Sequence, residues 1–281
     1  ACDACQNARV TRRPTMLLIL TENHTMLDPR DMRGLVELAR IAEETGFGAV
    51  MVSEQTMLAG DAAANGLMSN PRMYADVGNQ DPATPWPSSI ATLAAVAVAT
   101  SRVRVVAGAI IPPLRHPILL AKDLATVDLL AEGRLVVQPT VSWQRPEYEA
   151  HGVPFHRRGA ILDEHLAAMS ALWSGSPAEF HGEFFDFADV WSEPKAWRPE
   201  GPVMWFGGMA MHPALVRRLV RYGSGFHPFG APTDDDLAML AAGLAEAGRT
   251  LDEIELVGGT RATFDGPDSV ADVERAMADI P

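Results

Sequence analysis

Short, wholly apolar runs alternate along this chain with longer segments in which apolar residues recur every three or four positions. Apolar strands are predicted at Val103–Ile111 and at Leu135–Val137, where nearly every residue is hydrophobic. The segment between them predicts a helix, because four leucine and valine residues fall on one face: Leu120, Leu124, Val127 and Leu130. Two buried strands joined through a helix form a βαβ unit, so the sequence predicts a parallel sheet.

The same alternation extends over most of the chain and predicts an α/β fold. Further strands are predicted at Met16–Leu20, Ala49–Ser53, Val203–Phe206, Gly225–Pro228 and Ile254–Val257. Helices are predicted at Pro29–Thr45 with Asp28 as N-cap, at Ala91–Thr100 with Ser88 as cap, and at Ala160–Trp173, Pro213–Tyr222, Asp234–Ala247 and Ser269–Ala278. Seven strands alternating with helices predict a (β/α)8 TIM barrel in which the eighth strand is not evident.

Two features interrupt the regular alternation. A loop rich in Gly, Asn, Pro and Asp runs from Thr56 to Pro87 after the second strand, and loops of this length are usually functional or disordered. The segment FHGEFFDF at Phe180–Phe187 predicts a small hairpin. We expect residues 1–15 to form a flexible leader and residues 16–281 to form a single barrel domain. An open doubly wound sheet is the alternative, although no Gly-rich dinucleotide fingerprint follows the first strand.

The composition limits the classes of partner and the cellular compartment that we expect for this protein. The 281 residues carry 23 basic and 36 acidic side chains, a formal charge of −13 that disfavours nucleic acid and anionic membrane surfaces. The chain has no apolar run near the roughly 20 residues that a membrane span requires. Its two cysteines, Cys2 and Cys5, lie in the polar leader, so nothing indicates an oxidising compartment and we expect a cytoplasmic protein.

Candidate chemistry lies where the strands end, because a barrel builds its active site at their carboxyl ends. His24 follows strand one and also fits an ordinary loop histidine, whereas Glu54 and Gln55 end strand two and need water or a ligand. Gly207 and Gly208 end strand five, either in a tight turn or as a phosphate cradle that Gly223 and Gly225 extend. The same rule selects Gly108, Ala109, Ile110, Gln138, Thr140, Ser142, Trp143 and His227.

No metal-binding or nucleophile motif is evident in the sequence. The histidines are scattered, and there is no H-E-x-x-H, no Gly-x-Ser-x-Gly and no Walker loop. A barrel that lacks these motifs often depends on an organic cofactor.

Several segments together resemble the bacterial luciferase-like monooxygenase family. They are LLAKDLATVDLLAEGRL, YEAHGVPFHRRGAILDEHLAAMSALWSG, FHGEFFDFADVWSEPKAWRPEGPVMWFGG and LVRRLVRYGSGF, and they are most similar to the branch of deazaflavin (F420)-dependent oxidoreductases. The resemblance implies a TIM barrel, F420 or a flavin at its mouth, and usually a homodimer. It places the ring against a bulge with a non-prolyl cis peptide within Gly108-Ala109-Ile110, and the phosphate near Gly207-Gly208 and Gly223–Gly225.

The sequence departs from the family pattern at two strands. After strand two the family commonly has an acidic residue and then His, but here Gln55 follows Glu54, and Gln cannot titrate. Before the strand-four tryptophan the family commonly has a Gly-rich run, but here Gln138, Pro139 and Thr140 stand in its place.

These observations predict a luciferase-like oxidoreductase that uses F420 for hydride transfer, or FMN for monooxygenation, on a small organic substrate. The catalytic candidates are Glu54, Gln55, His24 and Ser142, and the substrate pocket would include Trp86, Trp143 and His227. One alternative is a non-catalytic small-molecule binding protein with a degenerate cofactor site. A metal-dependent barrel hydrolase is the other, and the absence of clustered ligands disfavours it.

Overall fold

A computed structural model describes residues 15–21, 27–28, 30–60, 82–83, 85–208, 210–228, 232–258 and 271. The strands are β1 (Leu17–Ile19), β2 (Ala49–Val52), β3 (Arg104–Ile110), β4 (Leu135–Pro139), β5 (Ala178–His181), β6 (Asp186–Val190), β7 (Val203–Phe206), β8 (Gly225–Phe226) and β9 (Glu255–Leu256). The helices are α1 (Met32–Glu44), α2 (Ser89–Ala99), α3 (Pro117–Leu130), α4 (Arg145–Ala150), α5 (Arg158–Ser174), α6 (Pro213–Tyr222) and α7 (Asp234–Glu246).

Seven of the strands form one curled parallel sheet in the order β1-β2-β3-β4-β7-β8-β9. Each strand pairs with the next sheet strand along the chain, and helices connect them, as the hydrophobic pattern predicts for a barrel. The predicted α/β class is therefore confirmed. An eighth barrel strand is not present among the described residues.

Apolar side chains occupy both faces of the sheet. Alternate residues of the strands point to the concave side, where Met51, Val106, Val136 and Trp205 form a small buried cluster. The remaining strand residues face the helices, and the large core lies there, with Leu93, Leu120, Leu124 and Leu166 fully buried. Strands buried on both faces explain the nearly continuous apolar runs in the sequence.

The predicted hairpin is confirmed as the antiparallel pair β5 and β6. The Glu164 carboxylate on α5 accepts hydrogen bonds from the backbone N–H groups of Glu183, Phe184 and Phe185 in its turn. This carboxylate fixes the hairpin against α5, outside the barrel.

The N-cap of α1 corrects one prediction. Asp28 was expected to cap this helix, but Asp31 caps it, and its Oδ1 accepts from the Gly34 N–H at 2.8 Å. Asp28 instead accepts from the Arg30 N–H in the preceding turn. The pattern of apolar residues cannot separate these two aspartates, because both precede the first buried residue, Leu35.

We therefore expect Asp31→Ala to lower the free energy of unfolding by about 1 kcal/mol, since it removes a helix-capping acceptor. Asp28→Ala is the matched control and should cost less, because it removes a turn contact only. Urea unfolding followed by circular dichroism measures both variants. A larger loss for Asp28→Ala would contradict the assignment of the cap.

Several predictions lie outside the described residues. They are the flexible leader over residues 1–14, the centre of the long loop at 61–81, and most of the final helix at Ser269–Ala278. Within the described ranges, the helices are too short or too polar to cross a bilayer.

Candidate active site

The carboxyl ends of the strands meet at one end of the sheet, which we call the barrel mouth. Thr21 follows β1 and Ser53 follows β2, and their hydroxyl oxygens lie 2.6 Å apart in a buried hydrogen bond. The Ser53 N–H also donates to the Thr21 hydroxyl at 3.0 Å. Neither residue is among the candidates predicted from the sequence, although each is a polar group at the end of an apolar strand.

Strand β3 reaches the mouth through a bulge. Gly108 is paired with Gln138, but Ile110 is paired with Pro139, so Ala109 is the extra residue. The peptide bond between Gly108 and Ala109 is cis, as the resemblance implied. Ala109 is half-buried whereas its neighbours Gly108 and Ile110 are buried, and its side chain is a single methyl group.

Gly108 has no space for a side chain. A Cβ atom there would lie 2.5 Å from Met51 Sδ and 3.1 Å from Gln138 Oε1. The glycine therefore allows the bulged strand to approach both β2 and the Gln138 amide closely.

A side-chain pair crosses the mouth from β4 to the residue after β8. His227 Nδ1 and Gln138 Oε1 are 2.9 Å apart. A Cβ atom on Gly207 would lie 1.6 Å from the His227 carbonyl oxygen and 3.3 Å from Gln138 Nε2. The structure thus brings four predicted site residues together: Gly108, Gln138, Gly207 and His227. Burial lowers the pKa of His227 to about 4.

Glu54 lies behind the bulge in a dense hydrogen-bonding network. Its Oε2 accepts from the Ile111 N–H at 2.7 Å and from Arg115 at 2.9 Å. Its Oε1 accepts from Arg115 at 2.6 Å and from the Ser89 hydroxyl. A carboxylate has about four acceptor sites, and all four are used here, so we assign Glu54 a positioning role in place of the predicted catalytic one.

His165 extends this network on the side of α5. Its Nε2 lies 3.1 Å from the Arg115 carbonyl oxygen, and the ring packs edge-on against Phe185. Burial lowers the pKa of His165 to about 4, so the ring is neutral at pH 7 and donates from Nε2. His165 and Glu54 thereby both hold the connection between β3 and α3, one through the Arg115 carbonyl and the other through the Arg115 side chain.

Two predicted site residues present buried polar atoms without a protein partner. Gln55 follows β2 and is 9% exposed, and its Oε1 makes no hydrogen bond. Ser142 follows β4 with a positive φ of 55°, and its Oγ also makes none. Leaving such atoms buried and unpaired costs roughly 1–3 kcal/mol each, so both are acceptors or donors available to a ligand.

The first residues of the long loop are anchored to α4. The buried Glu147 Oε1 accepts from the Thr56 N–H and hydroxyl, both at 2.7 Å. Gln144 donates to the Met57 carbonyl and accepts from the Ala59 N–H. Burial raises the pKa of Glu147, and these anchors hold the loop entry beside the end of β4.

The other predicted residues are placed as follows. Trp86, Trp143, Thr140 and Gly208 are half-buried, and the Thr140 N–H donates to the Ile110 carbonyl at 2.8 Å. His24 lies outside the described residues.

Gly223 and Gly225 are not brought into the mouth. Gly225 begins β8 and is paired with Trp205, which precedes Gly207, and Gly223 lies at the C-cap of α6. A parallel strand begins at the end of the barrel opposite to the mouth. Gly225 makes room for the Trp205 indole and Gly223 for Leu219, where a Cβ atom would lie 2.2 Å and 2.9 Å away. The predicted extension of a phosphate cradle by these two glycines therefore has no geometric basis.

The described part of the chain contains no group of three or more His, Cys, Asp or Glu side chains that could hold a metal ion.

Comparison with known proteins identifies the family. The family model of luciferase-like monooxygenases matches residues 15–279. The chain belongs to the luciferase-like monooxygenase family. The predicted TIM barrel is confirmed with it.

Among the relatives of this luciferase-like protein, an uncharacterised protein of Mycobacterium tuberculosis is 36% identical over 166 residues, which cover 59% of the chain and 57% of that relative. An F420-dependent glucose-6-phosphate dehydrogenase of Nakamurella multipartita is 30% identical, with 87% of the chain and 66% of the relative covered. An FMNH2-dependent dimethylsulfone monooxygenase of Pseudomonas putida is 30% identical, with 61% and 42% covered.

Solved structures agree on the fold. The monooxygenase RslO1 of Streptomyces bottropensis superposes with a TM-score of 0.68 at 23% identity, covering 94% of this chain and 79% of that one. The F420-dependent tetrahydromethanopterin reductase of Methanopyrus kandleri gives 0.63 at 18% identity, covering 88% and 65%.

Proposed function

We propose that this luciferase-like protein is an F420-dependent oxidoreductase that transfers hydride between its cofactor and a small organic substrate. The observation that supports it most is the barrel mouth itself. A bulged backbone at Gly108–Ala109 is flanked by two buried polar atoms without protein partners, Gln55 Oε1 and Ser142 Oγ.

The residues at the mouth fit a planar ring with polar edges. The bulge presents backbone rather than a bulky side chain, so a flat ring can approach it closely. Gln55 and Ser142 stand at the ends of the strands on either side of β3, which suits hydrogen bonds to opposite edges of such a ring. The half-buried Gly208 beside Gly207 would leave space for a phosphate.

The relatives of this chain include an F420-dependent enzyme and an FMNH2-dependent enzyme, and the share of the chain that each one matches favours F420. The match to the F420-dependent dehydrogenase extends over 87% of the chain, whereas the match to the FMNH2-dependent monooxygenase extends over 61%. FMN-dependent monooxygenation is therefore the second candidate.

The cofactor supplies the redox chemistry when it is bound, and the protein supplies orientation and a water-poor site. Gln55 can only donate or accept hydrogen bonds, because an amide does not titrate near neutral pH. It would therefore orient a ligand rather than remove its proton. Ser142 would fix the opposite edge, and the anchored loop entry at Thr56 would border the site.

Fluorescence titration of the purified protein with F420 and with FMN tests this proposal. We expect micromolar or tighter binding of F420, and about tenfold weaker binding for Gln55→Ala and Ser142→Ala, since each loses one hydrogen bond of roughly 1.4 kcal/mol to the ligand. His156→Asn is the control, because His156 is exposed on the turn before α5. Tight binding of FMN alone would favour the second candidate.

Binding of neither cofactor to folded protein would overturn the proposal. It would favour the remaining alternative, a non-catalytic binding protein on the same barrel. Gln55 and the Gln138-Pro139-Thr140 segment, which depart from the family pattern, are the features that support that alternative.

We further propose that the protein acts on a small-molecule substrate as a homodimer in the cytoplasm, and that it has no nucleic-acid or membrane partner. The charge of −13 supports the exclusion of polyanionic partners. Analytical ultracentrifugation would give twice the chain mass if the dimer forms.

A further inference from the structure

The pair formed by Gln138 and His227 has a defined arrangement that the proposed function does not use. His227 follows β8 and its Nδ1 lies 2.9 Å from Gln138 Oε1 on β4. The strand β7 lies between β4 and β8 in the sheet, so the contact spans the mouth above Gly207. The pair is therefore part of the floor on which a bound ligand would rest.

Contacts on both sides restrict the Gln138 amide. Its Oε1 lies near the position that a Gly108 Cβ would occupy, at 3.1 Å, and its Nε2 lies 3.3 Å from the corresponding point on Gly207. Because both neighbours are glycines, the amide fits between β3 and β7 and presents its oxygen to His227. An amide oxygen can only accept, so His227 Nδ1 must carry the proton.

This arrangement determines the state of the other ring nitrogen. In a neutral imidazole with a proton on Nδ1, Nε2 carries a lone pair and is a hydrogen-bond acceptor. Burial keeps the ring neutral by lowering the pKa of His227 to about 4. The edge-on contact with Trp205, whose ring centroid is 6.1 Å away, restricts the plane of the imidazole.

We propose that His227 Nε2 accepts a hydrogen bond from an N–H or O–H group of the bound tricyclic cofactor, and that Gln138 is the positioning residue that fixes the required tautomer. This inference rests on the proposed function, because it needs a cofactor at the mouth. From the sequence, Gln138 was expected to contact the cofactor and His227 the substrate. The inference instead assigns both residues to binding of the cofactor.

Nitrogen NMR of the full-length protein labelled with ¹⁵N-histidine tests the tautomer directly. Without cofactor at pH 7, we expect the His227 resonances of a neutral ring with a protonated Nδ1 and an unprotonated Nε2. Addition of F420, or of FMN, should shift the Nε2 resonance as it accepts a hydrogen bond. A protonated Nε2 in the free protein, or no shift at saturation, would overturn the inference.

Two substitutions of His227 distinguish its two nitrogens. Gln places its amide nitrogen or oxygen near the Nε2 position, whereas Asn reaches only the Nδ1 position. We expect His227→Asn to weaken cofactor binding about tenfold or more and His227→Gln to weaken it less. Equal affinities of wild type and His227→Asn would contradict the proposed contact.

Gln138→Leu tests the positioning role. It should remove the Nδ1-protonated signature of His227 and weaken cofactor binding, while thermal unfolding shows whether the protein remains folded. Gln138→Glu retains an acceptor for Nδ1 and should keep Nδ1 protonated, which a purely steric role would not require.

The outcomes separate this inference from the proposed function. If neither F420 nor FMN binds the wild-type protein, the proposed function fails and this inference fails with it. If F420 binds while His227 neither shifts nor matters for affinity, the proposed function stands and this inference alone fails. If only FMN binds and His227 does not respond to it, the second candidate function is favoured and this inference fails as well.

Discussion

Glu54→Gln is expected to lower the free energy of unfolding by about 3–5 kcal/mol, the usual cost of removing one partner from a buried ion pair. The Glu54 side chain is 3% exposed and that of Arg115 is 21% exposed, so solvent cannot replace the lost charge. Gln also places an NH2 group where two donors, from Arg115 and from the Ile111 N–H, approach. The connection between β3 and α3 would therefore lose both its charge balance and an acceptor.

Urea unfolding followed by circular dichroism and tryptophan fluorescence measures the loss. Glu183→Gln is the matched control. Glu183 lies in the turn of the hairpin and forms a similarly short but exposed ion pair with Arg157, which precedes α5. That pair is screened by water, so its loss should not shift the midpoint measurably. Similar midpoints for Glu54→Gln and wild type would contradict a positioning role for Glu54.

A double-mutant cycle distinguishes the ion pair from the other hydrogen bonds of Glu54. Arg115→Met removes the charge that Glu54 balances and keeps much of the side-chain volume. If the pair acts as a unit, the double variant should be less destabilised than the sum of the two single changes, with a coupling energy on the order of 1–3 kcal/mol. Additive losses would instead assign the effect to the Ile111 and Ser89 contacts.

The fate of Glu54 shows what the sequence could predict and what it could not. The apolar run Ala49–Ser53 predicted strand two, which is confirmed as β2, and it predicted a carboxylate directly after that strand. Its partner Arg115 lies 61 residues later in the chain. It precedes α3, a helix that was predicted from its apolar face alone. Charge pairing over that distance has no local pattern, so the same carboxylate was assigned to catalysis.

The glycines illustrate the same limit more sharply. In the sequence, Gly207 and Gly208 follow predicted strand five, and Gly223 and Gly225 lie where predicted strand six starts, yet both pairs were assigned to one phosphate cradle. Only the direction of the parallel strand separates them, because Gly223 precedes β8 and Gly225 begins it, whereas the other pair follows β7. The βαβ topology predicted from the sequence is therefore enough to tell which pair of glycines lies at the barrel mouth. The packing of the other pair against Trp205 and Leu219 is seen only in the folded chain.

Gly207→Ala is expected to destabilise the protein by about 3 kcal/mol, at the upper end of the usual cost of overpacking a core. The added Cβ would lie 1.6 Å from the His227 carbonyl oxygen, which is a backbone atom and cannot rotate away. Relief requires β7 and β8 to separate at the mouth. The His227–Gln138 contact would be lost with this movement.

Gly208→Ala is the informative comparison, since the two residues are adjacent and undergo the same change. A Cβ on Gly208 would have the Ala210 carbonyl oxygen at 4.0 Å as its nearest contact, so its stability should stay within about 0.5 kcal/mol of wild type. If Gly208 leaves space for the cofactor phosphate, this variant should bind F420 roughly tenfold more weakly, equivalent to 1.4 kcal/mol, although it is fully folded. Unchanged affinity would show that the phosphate binds elsewhere, whereas equal destabilisation of both variants would contradict the close approach of β7 and β8 at Gly207.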